Sequence, residues 1–149
     1  MTWKYEYKSD LDNEVRIMDR LSGMWNCEAE KLPGYNYADY FLTRGYRDGR
    51  PQAVALCELR VRSTPRFKYD TVFVTLNKYQ NMLQMAEFTG LKPMFVVEWS
   101  DECAYIELTK DNAGVSYPKR SNPKGSDHLD ELCVHLDVAK FTTLWSVGS

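Results

Sequence analysis

The chain has 149 residues, of which 44% are apolar and 27% are charged; this is ordinary for one globular domain, here expected over residues 1–149, and excludes disorder and coiled coil. The formal net charge of −2 excludes a protein that coats nucleic acid through bulk positive charge. No apolar stretch approaches the roughly 20 residues of a membrane helix, and no signal-peptide pattern is present, so we expect a cytoplasmic protein without membrane association.

The predicted elements alternate between helices and strands. Apolar residues at helical spacing (Leu11, Val15, Met18 and Leu21) predict an amphipathic helix over residues 9–21. Aromatic-rich residues 37–44 and alternating residues 53–62 predict two strands. The Asp-Gly pair between them is typical of the tight turn of a β-hairpin.

The second half of the chain repeats this alternation. A strand over residues 71–76 is followed by a helix over residues 77–89, which ends at Gly90. Further strands are predicted over residues 93–99 and 105–108, and a final edge strand over residues 132–138. Residues 110–126 are expected to form an exposed loop, and residues 141–145 to close the core. The fold class is therefore α/β, with a mixed sheet flanked by helices.

The cysteines and histidines offer little chemistry. Cys27, Cys57, Cys103 and Cys133 are widely spaced and include no Cys-x-x-Cys pair, so reduced thiols are favoured over disulfides. A zinc site needs four ligands at close spacing, which the sequence does not offer. His128 and His135 come late in the chain and are expected at the surface.

Positive charge is concentrated in one stretch of the chain despite the negative total. This stretch contains Arg44, Arg47, Arg50, Arg60, Arg62, Arg66 and Lys68. A second basic group, Lys119, Arg120 and Lys124, belongs to the predicted loop. One basic face on a mildly acidic protein is compatible with binding a phosphate backbone, and equally with an ordinary solvated surface.

Alternation along residues 53–62 predicts which side chains share a face of the sheet. One face carries Val54, Leu56, Glu58, Arg60 and Arg62, and the other Ala55, Cys57, Leu59 and Val61. A hairpin of this length can bring Asp39 alongside Glu58. Two carboxylates at one sheet edge bind Mg²⁺ or Mn²⁺ well, and such a cation can activate water to attack a phosphate. The spacing of Glu58 and Arg60 also fits a simple ion pair, and the residues alone leave both interpretations open.

The order of elements resembles the PD-(D/E)XK nuclease superfamily, with its restriction-endonuclease-like fold. The similarity covers residues 11–108 and is closest to small phage and archaeal members, including Holliday-junction-resolvase-like nucleases. Four segments carry it: Tyr-Ala-Asp-Tyr at 37–40, Val-Ala-Leu-Cys-Glu-Leu-Arg-Val-Arg at 54–62, Lys-Tyr-Gln at 78–80 and Gly-Leu-Lys-Pro-Met-Phe-Val-Val at 90–97.

The resemblance implies a role for each matching residue. Asp39, Glu58 and the main-chain carbonyl of Leu59 would hold Mg²⁺ or Mn²⁺, and Glu14 on the first helix matches an additional acidic position. The substrate would be DNA, and small nucleases of this fold often act as homodimers. The positions predicted to contact the nucleic acid are Arg44, Arg47, Arg62, Arg66, Lys68 and Lys78.

One position departs from the family pattern, because Arg60 replaces its lysine. Arginine keeps the positive charge but does not release a proton under physiological conditions. Lys78, at the start of the following helix, is a candidate for a relocated lysine. We expect a metal-dependent DNA nuclease with Asp39, Glu58 and Arg60 as catalytic residues. The alternatives are a nuclease fold that has lost catalysis and binds DNA or a protein, and an interaction module, encoded by a virus or mobile element, that acts on a host protein.

Overall fold

The computed structural model describes residues 8–32, 38–111, 114–116 and 132–148. This part of the chain contains two helices, α1 (Lys8–Trp25) and α2 (Leu76–Thr89). It also contains nine strands: β1 (Glu28–Lys31), β2 (Tyr40–Arg47), β3 (Arg50–Val61), β4 (Thr71–Thr75), β5 (Lys92–Glu98), β6 (Glu102–Glu107), β7 (Gly114–Ser116), β8 (Cys133–Asp137) and β9 (Thr142–Ser146). None of the helices in these ranges is long and apolar enough to cross a membrane.

The strands form two sheets. The larger has six strands in the order β1-β2-β3-β5-β6-β9, and the smaller has three in the order β4-β8-β7. Within the larger sheet β3 and β5 are parallel, and the other neighbours are antiparallel. The parallel pair needs a crossover connection, which β4 and α2 provide between them. The predicted mixed α/β architecture is therefore confirmed.

The two faces of the larger sheet are covered by different elements. Helix α1 buries Ile17, Met18 and Leu21 on one face, against a cluster that includes Cys57 and Val96. Ile17 takes the place in this buried stripe that the sequence assigned to Val15, which is 55% exposed. The α1 face is therefore rotated slightly from the predicted one, and the helix also continues four residues further, to Trp25.

The opposite face packs against α2 and the smaller sheet. Tyr79 and Met82 of α2 are buried there with Leu56 of β3 and Phe95 of β5. Helix α2 matches its predicted range closely and ends at Gly90, whose positive φ of 78° is a conformation that glycine adopts without strain. Glu58 lies on this same face, so α2 is the helix that approaches it.

The β2–β3 hairpin carries two register shifts that the sequence pattern did not predict, between Thr43 and Tyr46 and between Leu42 and Thr43. Asp48 and Gly49 form its turn with positive φ angles, as the Asp-Gly signal predicts. The register then moves from Thr43 opposite Ala53 to Leu42 opposite Ala55, which leaves Val54 as an unpaired bulge residue. Val54 therefore packs on the α1 face, and its predicted place beside Leu56 is wrong.

Strand placement differs from the prediction at three points. The four-residue strand β1 was missed, because its sequence, Glu-Ala-Glu-Lys, has the charged character of an edge strand and no apolar run. Strand β8 is the central strand of the smaller sheet rather than an edge. Strand β7 lies within the predicted loop 110–126; Lys119, Arg120, Lys124 and His128 are outside the described residues. The four cysteines are reduced thiols, as expected.

Arg66 fastens the segment after β3 to the end of the chain. Its side chain is 5% exposed, and its guanidinium donates hydrogen bonds to the carbonyls of Val138 and Phe141. The same group forms a 2.8 Å salt bridge with Glu102 and a hydrogen bond with Thr143. Its guanidinium donors are used within the protein, so the structure gives Arg66 a structural role, and its predicted contact with nucleic acid stays a prediction.

We predict that Arg66→Met lowers the free energy of unfolding by about 3 to 5 kcal/mol, because Glu102 and two buried carbonyls lose their donors. The matched variant Lys68→Met changes an exposed neighbour and should stay within about 0.5 kcal/mol of the wild type. Urea unfolding followed by circular dichroism measures both. Equal stabilities of the two variants would contradict the structural role of Arg66.

Candidate active site

Strand pairing brings Asp39 and Glu58 together at the start of β2. Tyr40 is paired with Cys57, so Asp39, which precedes Tyr40, lies opposite Glu58, which follows Cys57. The N–H of Asp39 continues the ladder by donating to the carbonyl of Cys57 over 3.1 Å. Its carboxylate turns back onto β3, where Oδ2 accepts a 3.0 Å hydrogen bond from the N–H of Leu59. Asp39 is thereby held at two points beside Glu58.

Glu58 is a carboxylate almost completely removed from water. Its relative exposure is 3%, because β5 lies on one side of it, Asp39 on the other, and Lys78 of α2 above it. Burial raises the pKa of Glu58 to about 7, and the negative charge of Asp39 acts in the same direction. The cations of Lys78 and Arg60 oppose that rise in the pKa. Such a perturbed carboxyl group beside a second one is typical of a functional site.

Lys78 provides the direct cationic partner of Glu58. It is the third residue of α2, and its Nζ donates a 3.0 Å hydrogen bond to Glu58 Oε2. The lysine side chain is 32% exposed, so it joins the buried carboxylate to the surface. This contact places a lysine ammonium in the site although β3 carries Arg60 at the position of the family's lysine.

Arg60 in β3 and Arg62, which directly follows this strand, continue from Glu58 at two-residue steps. Arg60 is near enough to lower the pKa of Glu58. Burial first, and then repulsion from Arg60, lowers the pKa of Arg62 below its ordinary value. Two guanidinium groups that repel each other next to a carboxylate pair form a surface that would attract an anion.

Glu14 lies on the α1 side of β2. Its carboxylate Oε1 accepts hydrogen bonds from the Tyr40 hydroxyl at 2.9 Å and from Lys31 at 2.7 Å. Burial and the neighbouring Glu14 raise the pKa of the Tyr40 hydroxyl above its usual range. Tyr40 and Asp39 are consecutive and therefore project to opposite faces of the strand. The structure thus brings Asp39 and Glu58 together, whereas Glu14 lies on the α1 side, hydrogen-bonded to Tyr40.

Two observations bear on whether a divalent cation fits here. In the described ranges, no group of three or more His, Cys, Asp or Glu side chains converges as a metal site. The carboxylate pair nevertheless has one oxygen that could bind a cation, because Oε1 of Glu58 is buried and has no hydrogen-bond partner among the described residues. The carbonyl of Leu59 points to the same edge of β3 as its N–H, toward Asp39. Oxygen ligands of this kind suit Mg²⁺ or Mn²⁺.

The other predicted nucleic-acid contacts lie at different places. Arg44 donates to the carbonyls of Trp25 and Asn26, and so caps the C-terminus of α1. Arg47 is exposed at the hairpin turn, distant in the strand from Glu58. Lys68 is exposed, with its Nζ 6.0 Å from the ring centroid of Tyr69. His135 is in β8 and packs edge-on against Phe73, outside the carboxylate site.

Sequence pattern alone did not identify the ion pair between Arg16 and Glu98. Glu98 is 5% exposed at the end of β5, and both of its oxygens accept from Arg16, at 2.8 and 3.1 Å. Both side chains lie on the α1 face, away from Glu58. The only sequence signal would have been a charged residue that ends a strongly apolar strand.

A carboxylate pair on a hairpin with a cation beside it is the arrangement that the resemblance to the PD-(D/E)XK nucleases implies. A family model described as "Phage putative PDDEXK endonuclease" matches residues 1–144, and the chain belongs to this family. The fold is similar to that of the Holliday junction resolvase Hjc of Archaeoglobus fulgidus, with a TM-score of 0.53 and 10% sequence identity. That similarity covers 85% of this chain and 86% of the resolvase, which confirms the predicted fold. No curated protein sequence matches the chain.

We predict that the metal-free protein, kept in EDTA, loses stability as the pH rises from about 4.5 to above 7. The folded-state pKa of Glu58, about 7, is above its ordinary value of 4.5, so the native state holds this proton more tightly. The stabilisation that this proton provides is complete below pH 4.5 and is lost as the pH rises through about 7. The loss amounts to roughly 3 kcal/mol.

Urea unfolding over this pH range tests the prediction with two variants. Glu58→Gln removes the titrating group, so its stability should be flatter with pH and exceed that of the wild type at pH 8. Glu87→Gln, on the exposed surface of α2, should retain the wild-type pH dependence. The assignment to Glu58 is refuted if Glu58→Gln keeps the wild-type slope.

Proposed function

We propose that the protein is a divalent-metal-dependent nuclease that hydrolyses phosphodiester bonds in DNA. The observation that carries the proposal is the buried Glu58 carboxylate, which has Asp39 beside it and Lys78 on one oxygen, while no described residue is a partner of the other oxygen. Family membership supports the same activity. Burying Glu58 beside a second carboxylate costs stability, and a bound cation would offset that cost.

Asp39, Glu58 and the carbonyl of Leu59 would hold the cation. When bound, Mg²⁺ or Mn²⁺ polarises the scissile phosphate and makes water a better nucleophile. Asp39 is positioned for this by its hydrogen bond from the Leu59 N–H, which fixes one carboxylate oxygen and leaves the other available. Glu58 likewise contributes the oxygen that Lys78 does not occupy.

Lys78 takes the part that the family's lysine has on β3. Its ammonium is within hydrogen-bonding distance of Glu58 and reaches toward solvent, where a phosphate would approach. There it can orient the attacking water and stabilise the negative charge that develops on the phosphate. Unlike Arg60, it can also exchange a proton. The replacement of lysine by Arg60 is therefore compatible with catalysis.

Arg60 and Arg62 would bind the phosphates next to the scissile bond. Both follow Glu58 at two-residue steps, and in the part of the chain that the structure describes no carboxylate forms a salt bridge with either. Of the other basic residues, Arg47 and Lys68 are exposed and remain in the proposal as backbone contacts. Arg44 is already hydrogen-bonded to the carbonyls at the C-terminus of α1.

We expect Glu58→Ala to abolish cleavage while the protein stays folded, because the variant loses a metal ligand and a buried charge at once. Labelled single-stranded, duplex and branched DNA are incubated with Mg²⁺ or Mn²⁺, and the products are separated on denaturing gels. Glu107→Ala, which is exposed on β6, serves as the matched control and should cleave like the wild type. Undiminished cleavage by Glu58→Ala would remove Glu58 from the site.

A second comparison assigns the cationic role. We expect Lys78→Gln to reduce cleavage by roughly 100- to 1,000-fold, as for the loss of one donor that stabilises developing charge. Arg60→Gln should act mainly on DNA affinity, with a smaller loss at saturating DNA. Lys92→Gln, an exposed lysine at the far end of β5, is the control. The reverse pattern, with Arg60→Gln inactive and Lys78→Gln active, would return the catalytic role to Arg60.

The result that supports the inactive alternative is equally clear. If the wild type binds DNA but cuts none of the three substrates with either metal, the fold is used for binding alone. Binding should then be insensitive to EDTA and unaffected by Glu58→Gln.

A further inference from the structure

A groove lies beyond the C-terminal end of β3, between the segment that leaves this strand and the segment that enters β4. Its volume is about 480 Å³, and it is lined by Arg62 and Thr64 on one side and by Tyr69, Thr71 and Phe73 on the other. Trp99, which is 4% exposed, contributes to the lining from the core side. The groove is thus built from three segments that converge at one end of the larger sheet.

Two large aromatic side chains that line this groove are exposed to solvent. Tyr69 is 62% exposed and Phe73 is 37% exposed, although both carry extensive apolar surface. Phe73 projects from the outer face of the smaller sheet and is steadied by edge-on contact with His135, with ring centroids 4.6 Å apart. Exposed aromatic rings that are held in place by their neighbours are suited to stacking with a planar ligand.

The groove is also positively charged. Arg62 lines it, and its lowered pKa reflects burial and the repulsion of Arg60. Lys68 does not line the groove but lies near it, with its Nζ 6.0 Å from the ring centroid of Tyr69, which does. Such crowded cations are stabilised by a bound anion. The combination of cations and aromatic rings is the one that proteins use to bind unpaired nucleic acid.

The groove begins where β3 ends, and Arg62 relates it to the carboxylate site. Glu58 and Arg60 are in β3 and Arg62 directly follows it, at two-residue steps that each span roughly 6.7 Å along an extended chain. Arg62 therefore lies roughly 13 Å from Glu58 along the strand, a distance of a few nucleotides. A strand of nucleic acid that enters the site beside Arg60 would reach Tyr69 and Phe73 as it continues past Arg62.

We propose that this groove binds unpaired nucleotides of the substrate, with bases stacked on Tyr69 and Phe73 and phosphates held by Arg62. The substrate of the proposed nuclease is then DNA with a single-stranded segment beside the cleavage point, such as a flap, an overhang or a branch. This inference rests on the proposed function for its cleavage, but the binding by the groove is measured separately. Duplex DNA offers no unpaired base to these rings, because its bases are stacked on one another.

Binding of a fluorescein-labelled 12-nucleotide oligothymidylate and of a 12-base-pair blunt duplex tests the groove directly. Fluorescence anisotropy is measured at one fixed low salt concentration with EDTA, so that no cleavage occurs. Tyr69→Ala and Phe73→Ala should each weaken binding of the single strand by roughly 5- to 100-fold and leave duplex binding unchanged. Phe88→Ala, which alters a 91% exposed ring on α2 outside the groove, should change neither.

Arg62→Gln adds a second, electrostatic readout. It should weaken binding of the single strand and also reduce the dependence of that binding on salt concentration, by about one unit in the log–log slope. Tyr69→Ala should weaken binding without changing that slope. All four variants alter exposed or half-buried side chains, and thermal unfolding checks that they remain folded.

Three outcomes would overturn the inference. They are unchanged single-strand binding in both aromatic variants, equal losses for single strand and duplex, and no binding of the oligothymidylate by the wild type. Failure of the proposed function looks different, because the wild type would then cut no DNA with Mg²⁺ or Mn²⁺ while Tyr69→Ala still lost single-strand affinity. If the enzyme cuts duplex DNA and both aromatic variants bind DNA like the wild type, the proposed nuclease function stands and the proposed role of the groove is refuted.

Discussion

The hydrogen bond from the Leu59 N–H to the Asp39 carboxylate is the constraint on which the site depends. It closes the open end of the β2–β3 hairpin and fixes a carboxylate directly beside Glu58. Because Glu58 is only 3% exposed, its carboxyl group is kept from water and held beside that of Asp39. A protein gains no stability from such a pair. Its position in the fold is therefore better explained by function.

The partner of the buried carboxylate comes from the crossover connection. Parallel β3 and β5 need a connection that covers one face of the sheet, and here it ends with α2 on the face that carries Glu58. The first turn of α2 then presents Lys78 to Glu58. In the proposed function, this lysine takes the role of the family's strand lysine, whose position is occupied by Arg60.

Much of this arrangement could be predicted from local sequence. The alternation of residues 53–62 and the Asp-Gly turn together placed Asp39 opposite Glu58, since strand periodicity and turn type fix the register of a hairpin. Helical spacing also located both helices. The bulge at Val54 and the charged strand β1 were missed, because a single extra residue and a polar edge strand leave no periodic signal.

The sequence by itself determined the fold class, the hairpin and the carboxylate pair, because strand periodicity and the Asp-Gly turn set which residues of the hairpin lie opposite one another. Only the tertiary structure decided what the basic residues do. In the sequence, Arg66 and Lys78 are both simply basic residues. Arg66 belongs to the basic stretch, and Lys78 lies at the start of a predicted helix. Arg66 is buried as a structural clasp, whereas Lys78 reaches the candidate site. These roles follow from contacts between residues 20 to 75 positions apart, which local pattern does not encode.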